Sequence, residues 1–147
     1  MFNVQRSVWA PYSDQQLFEL VNDIKSYPKF MSGCVDAEVL RKGENWCEAR
    51  LVLNHKGIRQ SFTTRNVLQA PVRMNMSLVK GPFSHFEGCW RFDALSDDTC
   101  KVSLDLDFDF SNPLLKMTVG RQLEKIASRQ VDELCQRAES VYGRPIR

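Results

Sequence analysis

Few side chains in this sequence are equipped to move a proton, hold a metal ion or attack an electrophile. They are two histidines, His55 and His85, five cysteines, and three aspartates spaced at every second position, Asp105, Asp107 and Asp109. D-x-D-x-D opens a calcium loop of the EF-hand type, but the sixth position here is Phe110 where glycine is needed, and the twelfth is Lys116 where glutamate is needed. The alternating Leu and Phe between the aspartates instead place the carboxylates along the wet face of a strand, and no metal site is expected. Cys34, Cys47, Cys89, Cys100 and Cys135 are odd in number and contain no C-x-x-C pair, so they read as reduced thiols and not as a zinc site or a disulfide framework. His85 has the outward parity of its strand, and His55 precedes Gly57 near a strand end. Both read as surface histidines, with His55 and Tyr27 left as the candidates for chemistry at a pocket mouth. No catalytic residue is assigned.

The elements that would position these groups follow from periodicity. Ser13 with Gln16 three residues on forms a capping box, and Leu17, Leu20, Val21 and Ile24 repeat at helical spacing. Residues 2 to 10 alternate weakly around Val4 and Val8, as a first strand would. "KSYPKFMSGC" is punctuated by Pro28 and Gly33 and predicts a short helical turn carrying Tyr27 and Phe30. Strand-like runs then succeed one another at the intervals of an antiparallel meander. They are marked by Val35, Ala37 and Val39; by Cys47, Ala49, Leu51 and Leu53; by Ile58 and Phe62; by Val72, Met74, Met76 and Leu78; by Phe86, Gly88, Trp90 and Phe92; and by Cys100 through Phe110. The last run alternates strictly with polar residues, so one face of the sheet is buried and the other meets water.

Asn112 and Pro113 start a final helix whose apolar stripe runs through Val119, Leu123, Ile126, Ala127, Val131, Leu134, Ala138 and Val141, with Gly143 to end it. A sheet with one apolar face needs a cover, and only this helix is long enough to supply it. Gly88 in a strand and Gly120 in the helix weaken regular structure. They are either sites of close packing or clearance for a cavity between helix and sheet.

The chain of 147 residues carries a formal net charge of +2, with no Asp or Glu between Ala49 and Phe86. Arg59, Arg65 and Arg73 in that stretch have a parity opposite to the oily face and should project outward. No apolar run is long enough for a signal peptide or a membrane helix, and a cytoplasmic protein is expected.

The stretches "PYSDQQLFELVNDIKSYPKFMSGC", "FTTRN", "KGPFSHFEGCWRF" and "LDLDFDFSN" resemble, in order and over nearly the whole chain, the START-like proteins of the coenzyme Q-binding type. Within them they are most similar to the bacterial ribosome association toxin RatA group. The resemblance implies an α+β helix-grip fold, a bent antiparallel sheet wrapped around a long C-terminal helix with an apolar tunnel between, as a single domain over 1–147. It implies either ubiquinone or a similar isoprenoid lipid as bound ligand in support of respiration, or contact with the large ribosomal subunit that interferes with subunit joining. A third, cyclase-like enzyme reading follows from other relatives. The tunnel would be lined by Tyr27, Phe30, Phe62, Met74, Met76, Leu78, Phe86, Gly88, Trp90, Leu104, Leu106, Phe108, Val119, Gly120, Leu123 and Ile126. Arg59, Arg65 and Arg73 would meet ribosomal RNA or an anionic membrane surface. DNA is not expected as a partner.

Overall fold

The computed structural model describes residues 1–144. Seven antiparallel strands form one sheet in the order β1-β7-β6-β5-β4-β3-β2: β1 Phe2–Ala10, β2 Cys34–Lys42, β3 Trp46–His55, β4 Ile58–Gln69, β5 Arg73–Lys80, β6 Phe83–Ser96 and β7 Thr99–Phe110. Helix α1 (Asp14–Asn22) and a 3-10 turn (Ile24–Lys29) follow β1, and α2 (Pro113–Ser128) and α3 (Gln130–Tyr142) close the chain on the inner face. This is the expected helix-grip arrangement, with every strand of the meander present.

Local chemistry sets the helix ends. The Ser13 hydroxyl accepts from the Gln16 N–H at 3.1 Å while the Gln16 side chain accepts from the Ser13 N–H at 2.9 Å, so two orphan donors of α1 are satisfied reciprocally. Asn112 accepts from the Leu114 N–H, and Pro113 occupies the first turn, where a missing N–H is harmless. Gly143 ends α3 at φ 81, a conformation only glycine adopts easily.

Three expectations need correction. The C-terminal helix is not continuous: it breaks at Arg129, although neither Gly nor Pro lies there. The Gln130 amide donates to the Ile126 carbonyl at 2.9 Å, and the Arg129 N–H tightens onto the same carbonyl at 3.2 Å. A side chain inserted into the helical ladder bends it. Val35 and Val72 do not face inward but are exposed, Val35 because a bulge between Cys34 and Asp36 shifts the register and Val72 because it precedes β5. Val141 is exposed as well, beyond the last core turn of α3.

The interior divides along the sheet. Under α1 and α3 lies a core of Leu17, Val21, Met74, Trp90, Phe92, Cys100, Val102, Val131 and Leu134. Under α2 lies a second cluster rich in phenylalanine, including Phe62, Phe83, Phe86, Phe108 and Phe110 with Val119 and Ala127. The five cysteines are free thiols. Burial raises the pKa of Cys34 and of Cys100 from 9.0 to about 11, keeping them protonated.

Candidate functional site: an apolar interior beneath helix α2

Two cavities lie between α2 and the sheet and share the wall residues Leu53, Phe62, Leu123 and Ile126. The larger, about 100 Å³, is lined by Tyr27, Met31, Ser32, Cys34, Leu51, Met76, Phe86, Trp90, Leu104, Leu106, Ala127 and Gln130 beside the shared wall. The smaller, about 30 Å³, lies toward the sheet end where β3 meets β4 and β5 meets β6, against His55, Ile58, Gln60, Pro82, Phe83, Phe110, Val119 and Gln122.

Of the residues expected to line a tunnel, Tyr27, Phe62, Met76, Phe86, Trp90, Leu104, Leu106, Val119, Leu123 and Ile126 are brought to one cavity or the other. Met74, Leu78, Phe108, Phe30 and Gly120 are not. Met74 is fully buried one register step further along the inner face, opposite Trp90, and Phe108 is fully buried with its ring stacked on Phe2 at 5.1 Å. Leu78 packs with the phenylalanine cluster behind Phe62 and Gly81. Phe30 meets Tyr27 edge-on at 5.8 Å, with the Arg137 guanidinium 5.4 Å from its ring. Gly120 is a site of close packing: a Cβ there would lie 2.6 Å from the Phe2 ring, so glycine lets α2 approach β1.

Gly88 has a different reason. A Cβ on its inner side would fall 2.7 Å from the Met76 methyl and 3.0 Å from Leu106. The space beside Trp90 is therefore taken by the flexible end of Met76, which itself walls the larger cavity. Gly88 thus lets the end of that methionine pack against the strand backbone. The expected lining omitted Met31, Ser32, Gln122 and Gln130, whose loop and helix positions carry no strand parity, and also the strand residues Cys34, Leu51, Leu53, Ile58, Gln60, Phe83 and Phe110.

The polar groups around the cavities are few. The Tyr27 hydroxyl donates to the Val21 carbonyl and its pKa is raised by burial, so it is spent on structure and is a poor acid or base. Ser32 donates its backbone N–H to the Glu133 carboxylate at 3.0 Å, tying the loop before β2 to α3. Its hydroxyl and the His55 Nε2 are shielded from water with no hydrogen-bond partner among the described residues.

On the outer face, Arg59, Arg65 and Arg73 point away from the core as expected, yet only Arg59 is exposed and free of an ion pair among the described residues. Arg65 pairs with Glu48 at 3.5 Å and stacks 4.3 Å over Trp46, because β3 places both opposite β4. Arg73 is partly buried opposite Arg91, which itself pairs with Asp105 at 3.3 Å. Neighbouring strands thus supply the acids that the Ala49–Phe86 stretch lacks. Lys56 in the β3–β4 turn and Lys80 at the end of β5 are exposed and, among the described residues, free of ion pairs, at the same end of the sheet as Arg59. No group of three or more metal-binding side chains occurs among the described residues, nor does any helix long and apolar enough to cross a membrane.

Residues 10–135 match the protein family described as polyketide cyclase / dehydrase and lipid transport. The chain belongs to this START-like family. A Pseudomonas aeruginosa relative named ribosome association toxin RatA is 43% identical over 96% of this chain and 98% of its own length. The protein of the same name from Escherichia coli is 37% identical over 97% of this chain and 90% of its own length. A more distant family member, the mitochondrial coenzyme Q-binding protein COQ10 homolog B of Xenopus laevis, is 23% identical over 90% of this chain and 56% of its own length. Among solved structures, the ZhuI aromatase/cyclase from Streptomyces superposes with a TM-score of 0.78 at 18% identity, covering 94% of this chain and 93% of that one, which shows the shared fold.

Proposed function

We propose that the protein acts on the ribosome, binding the large subunit and hindering its association with the small one. The observation that carries this reading is the name shared by relatives that are 37–43% identical over at least 96% of this chain. The geometry supports a contact at the sheet end bearing Lys56, Arg59 and Lys80, whose free charges can meet RNA phosphates. Arg65 contributes less, since Glu48 already holds it. The test is a sucrose-gradient profile of isolated subunits mixed under joining conditions with and without the protein. The expected outcome is a dose-dependent loss of joined particles; an unchanged profile at saturating protein contradicts the reading.

A second reading, binding of a hydrophobic ligand, is favoured by the cavities. A space of about 100 Å³ is of the order that holds a benzene-sized guest, so it accepts a ring or a single isoprene unit as it stands. One such unit buries five carbons and contributes on the order of 4 kcal/mol. A longer isoprenoid tail requires Met76 or Ile126 to move aside. Ubiquinone is the candidate that the coenzyme Q-binding relative's name supports. Both readings describe a binding protein, in keeping with the names of the relatives and with the commitment of the Tyr27 hydroxyl to the Val21 carbonyl. Mass spectrometry of organic extracts from detergent-free protein tests the second reading: a co-purifying quinone supports it.

A further inference from the structure

Three hydrogen-bonding side chains meet at the smaller cavity, whereas at the larger one Tyr27 and Gln130 already donate to the Val21 and Ile126 carbonyls and leave chiefly the Ser32 hydroxyl unpartnered among the described residues. His55 ends β3, Gln60 lies on the inner parity of β4, and Gln122 comes from α2 across the gap. His55 is held in place by its pairing with Ile58 around the two-residue turn Lys56–Gly57, both at positive φ (50 and 83), as a tight hairpin requires. Its Nε2 is shielded from water yet has no partner among the described residues. A shielded ring nitrogen left unpaired is unfavourable, and a guest whose hydroxyl or carbonyl oxygen met Nε2, after a small turn of the imidazole that opens it to the cavity, would relieve it. Imidazole can donate or accept according to tautomer, and each glutamine amide does both, so either kind of oxygen is served.

Charge narrows the class further. No Arg, Lys, Asp or Glu lines either cavity among the described residues. A carboxylate or phosphate seated there would lose its water without gaining a fixed counter-charge, whereas a neutral polar group loses little. The apolar body of such a guest can extend past Phe62, Leu123 and Ile126 toward Trp90, along the wall that the two cavities share.

We propose that the smaller cavity is the polar end of a ligand site that takes a neutral, mostly apolar molecule with one hydrogen-bonding oxygen placed on His55. This rests on the hydrophobic-ligand reading above and assigns it a chemical class and an orientation. Ser32 is the competing pole, because its hydroxyl is likewise unpartnered and borders the larger cavity.

The experiment is calorimetric binding of toluene, p-cresol and p-toluate at neutral pH to the wild type, His55→Leu, His55→Gln, Gln122→Leu and Ser32→Ala, each checked for folding by its thermal transition. The expected result is that toluene and p-cresol bind and p-toluate does not. His55→Leu then weakens p-cresol about tenfold with toluene unchanged, and His55→Gln restores most of the loss. Should His55→Leu fail to fold, Gln122→Leu, on the partly exposed side of α2, is expected to show a smaller loss confined to p-cresol. If both neutral probes bind but neither His55→Leu nor Gln122→Leu changes their ratio, the polar end is not here although the cavity reading stands. A tenfold loss in Ser32→Ala instead moves the pole to the larger cavity and overturns the assignment. Binding of p-toluate as tight as that of p-cresol overturns the neutral class. If no probe binds the wild type, the hydrophobic-ligand reading fails and this inference fails with it.

Discussion

The two halves of the interior are built from similar side chains on the same sheet face, yet one is filled and the other is not. Beneath α1 and α3, Leu17, Val21, Met74, Val131 and Leu134 are at 0% exposure, and Phe18 meets Phe92 edge-on at 6.0 Å. Beneath α2, Leu53, Leu123 and Ile126 remain only partly buried around two cavities. The difference lies in the number of helices. Two helices pack over the first half and interdigitate with each other as well as with the sheet, whereas α2 covers the second half alone. The break at Arg129 separates the two halves of the cover, so each follows its own course over the sheet. Cavity formation here follows from an uneven number of covering elements and not from a shortage of hydrophobic residues.

Breaking the filled half should cost most. Leu134→Ala removes a fully buried side chain from a closed core and is expected to destabilise by about 2–5 kcal/mol, while Leu123→Ala, partly exposed beside existing space, should cost only about 1–2 kcal/mol. Denaturant midpoints measure both; equal losses would mean that the two halves are packed alike. Next in size is filling the open half. Met76→Trp and Gly88→Leu each put bulk where the Met76 methyl now lies, and should abolish uptake of toluene and p-cresol at a stability cost of roughly 1–3 kcal/mol. Wild-type uptake by both folded variants would place the guest elsewhere.

The last contrast is between two buried thiols of the first cluster, one sealed in the core and one beside the larger cavity. Cys100 lies in the closed core and Cys34 borders the larger cavity, and burial raises each from 9.0 to about 11. A group whose pKa is raised by folding stabilises fully below its unfolded value and loses that contribution as pH climbs through the folded one. Stability should therefore fall between about pH 9 and 11, and Cys34→Ala with Cys100→Ala should flatten the profile in that window while lowering it overall. An unchanged slope in the double variant would show that neither thiol is held protonated by the fold.

The same contrast explains what was legible in the sequence. The strict alternation from Cys100 to Phe110 predicted a strand with one buried face, since period two depends only on neighbours along the chain, and the Ser13 and Asn112 caps are likewise local. Met74 and Met76 share a parity, so the sequence could not separate the one sealed in the core from the one that walls a cavity; that depends on which helix lies above. The role of Gly120 required knowing that Phe2 lies across from it. The break at Arg129 carries no Gly or Pro signal and arises from the Gln130 side chain. The pairing of Arg65 with Glu48 needed the β3–β4 register, and for that reason a basic stretch in sequence became a mixed surface in space.

The most direct test of the ribosome reading is co-sedimentation with isolated large subunits over a range of salt concentrations, comparing the wild type with Lys56→Glu/Arg59→Glu/Lys80→Glu. Wild-type binding is expected to weaken steeply with salt, and the triple variant to bind more weakly with a slope of log K against log salt shallower by about 2 to 3. Toluene uptake in the same variant should be unchanged, because none of the three side chains lines a cavity. Wild-type sedimentation of the triple variant at every salt concentration would contradict the contact, and absence of sedimentation by the wild-type protein itself would contradict the ribosome reading as a whole.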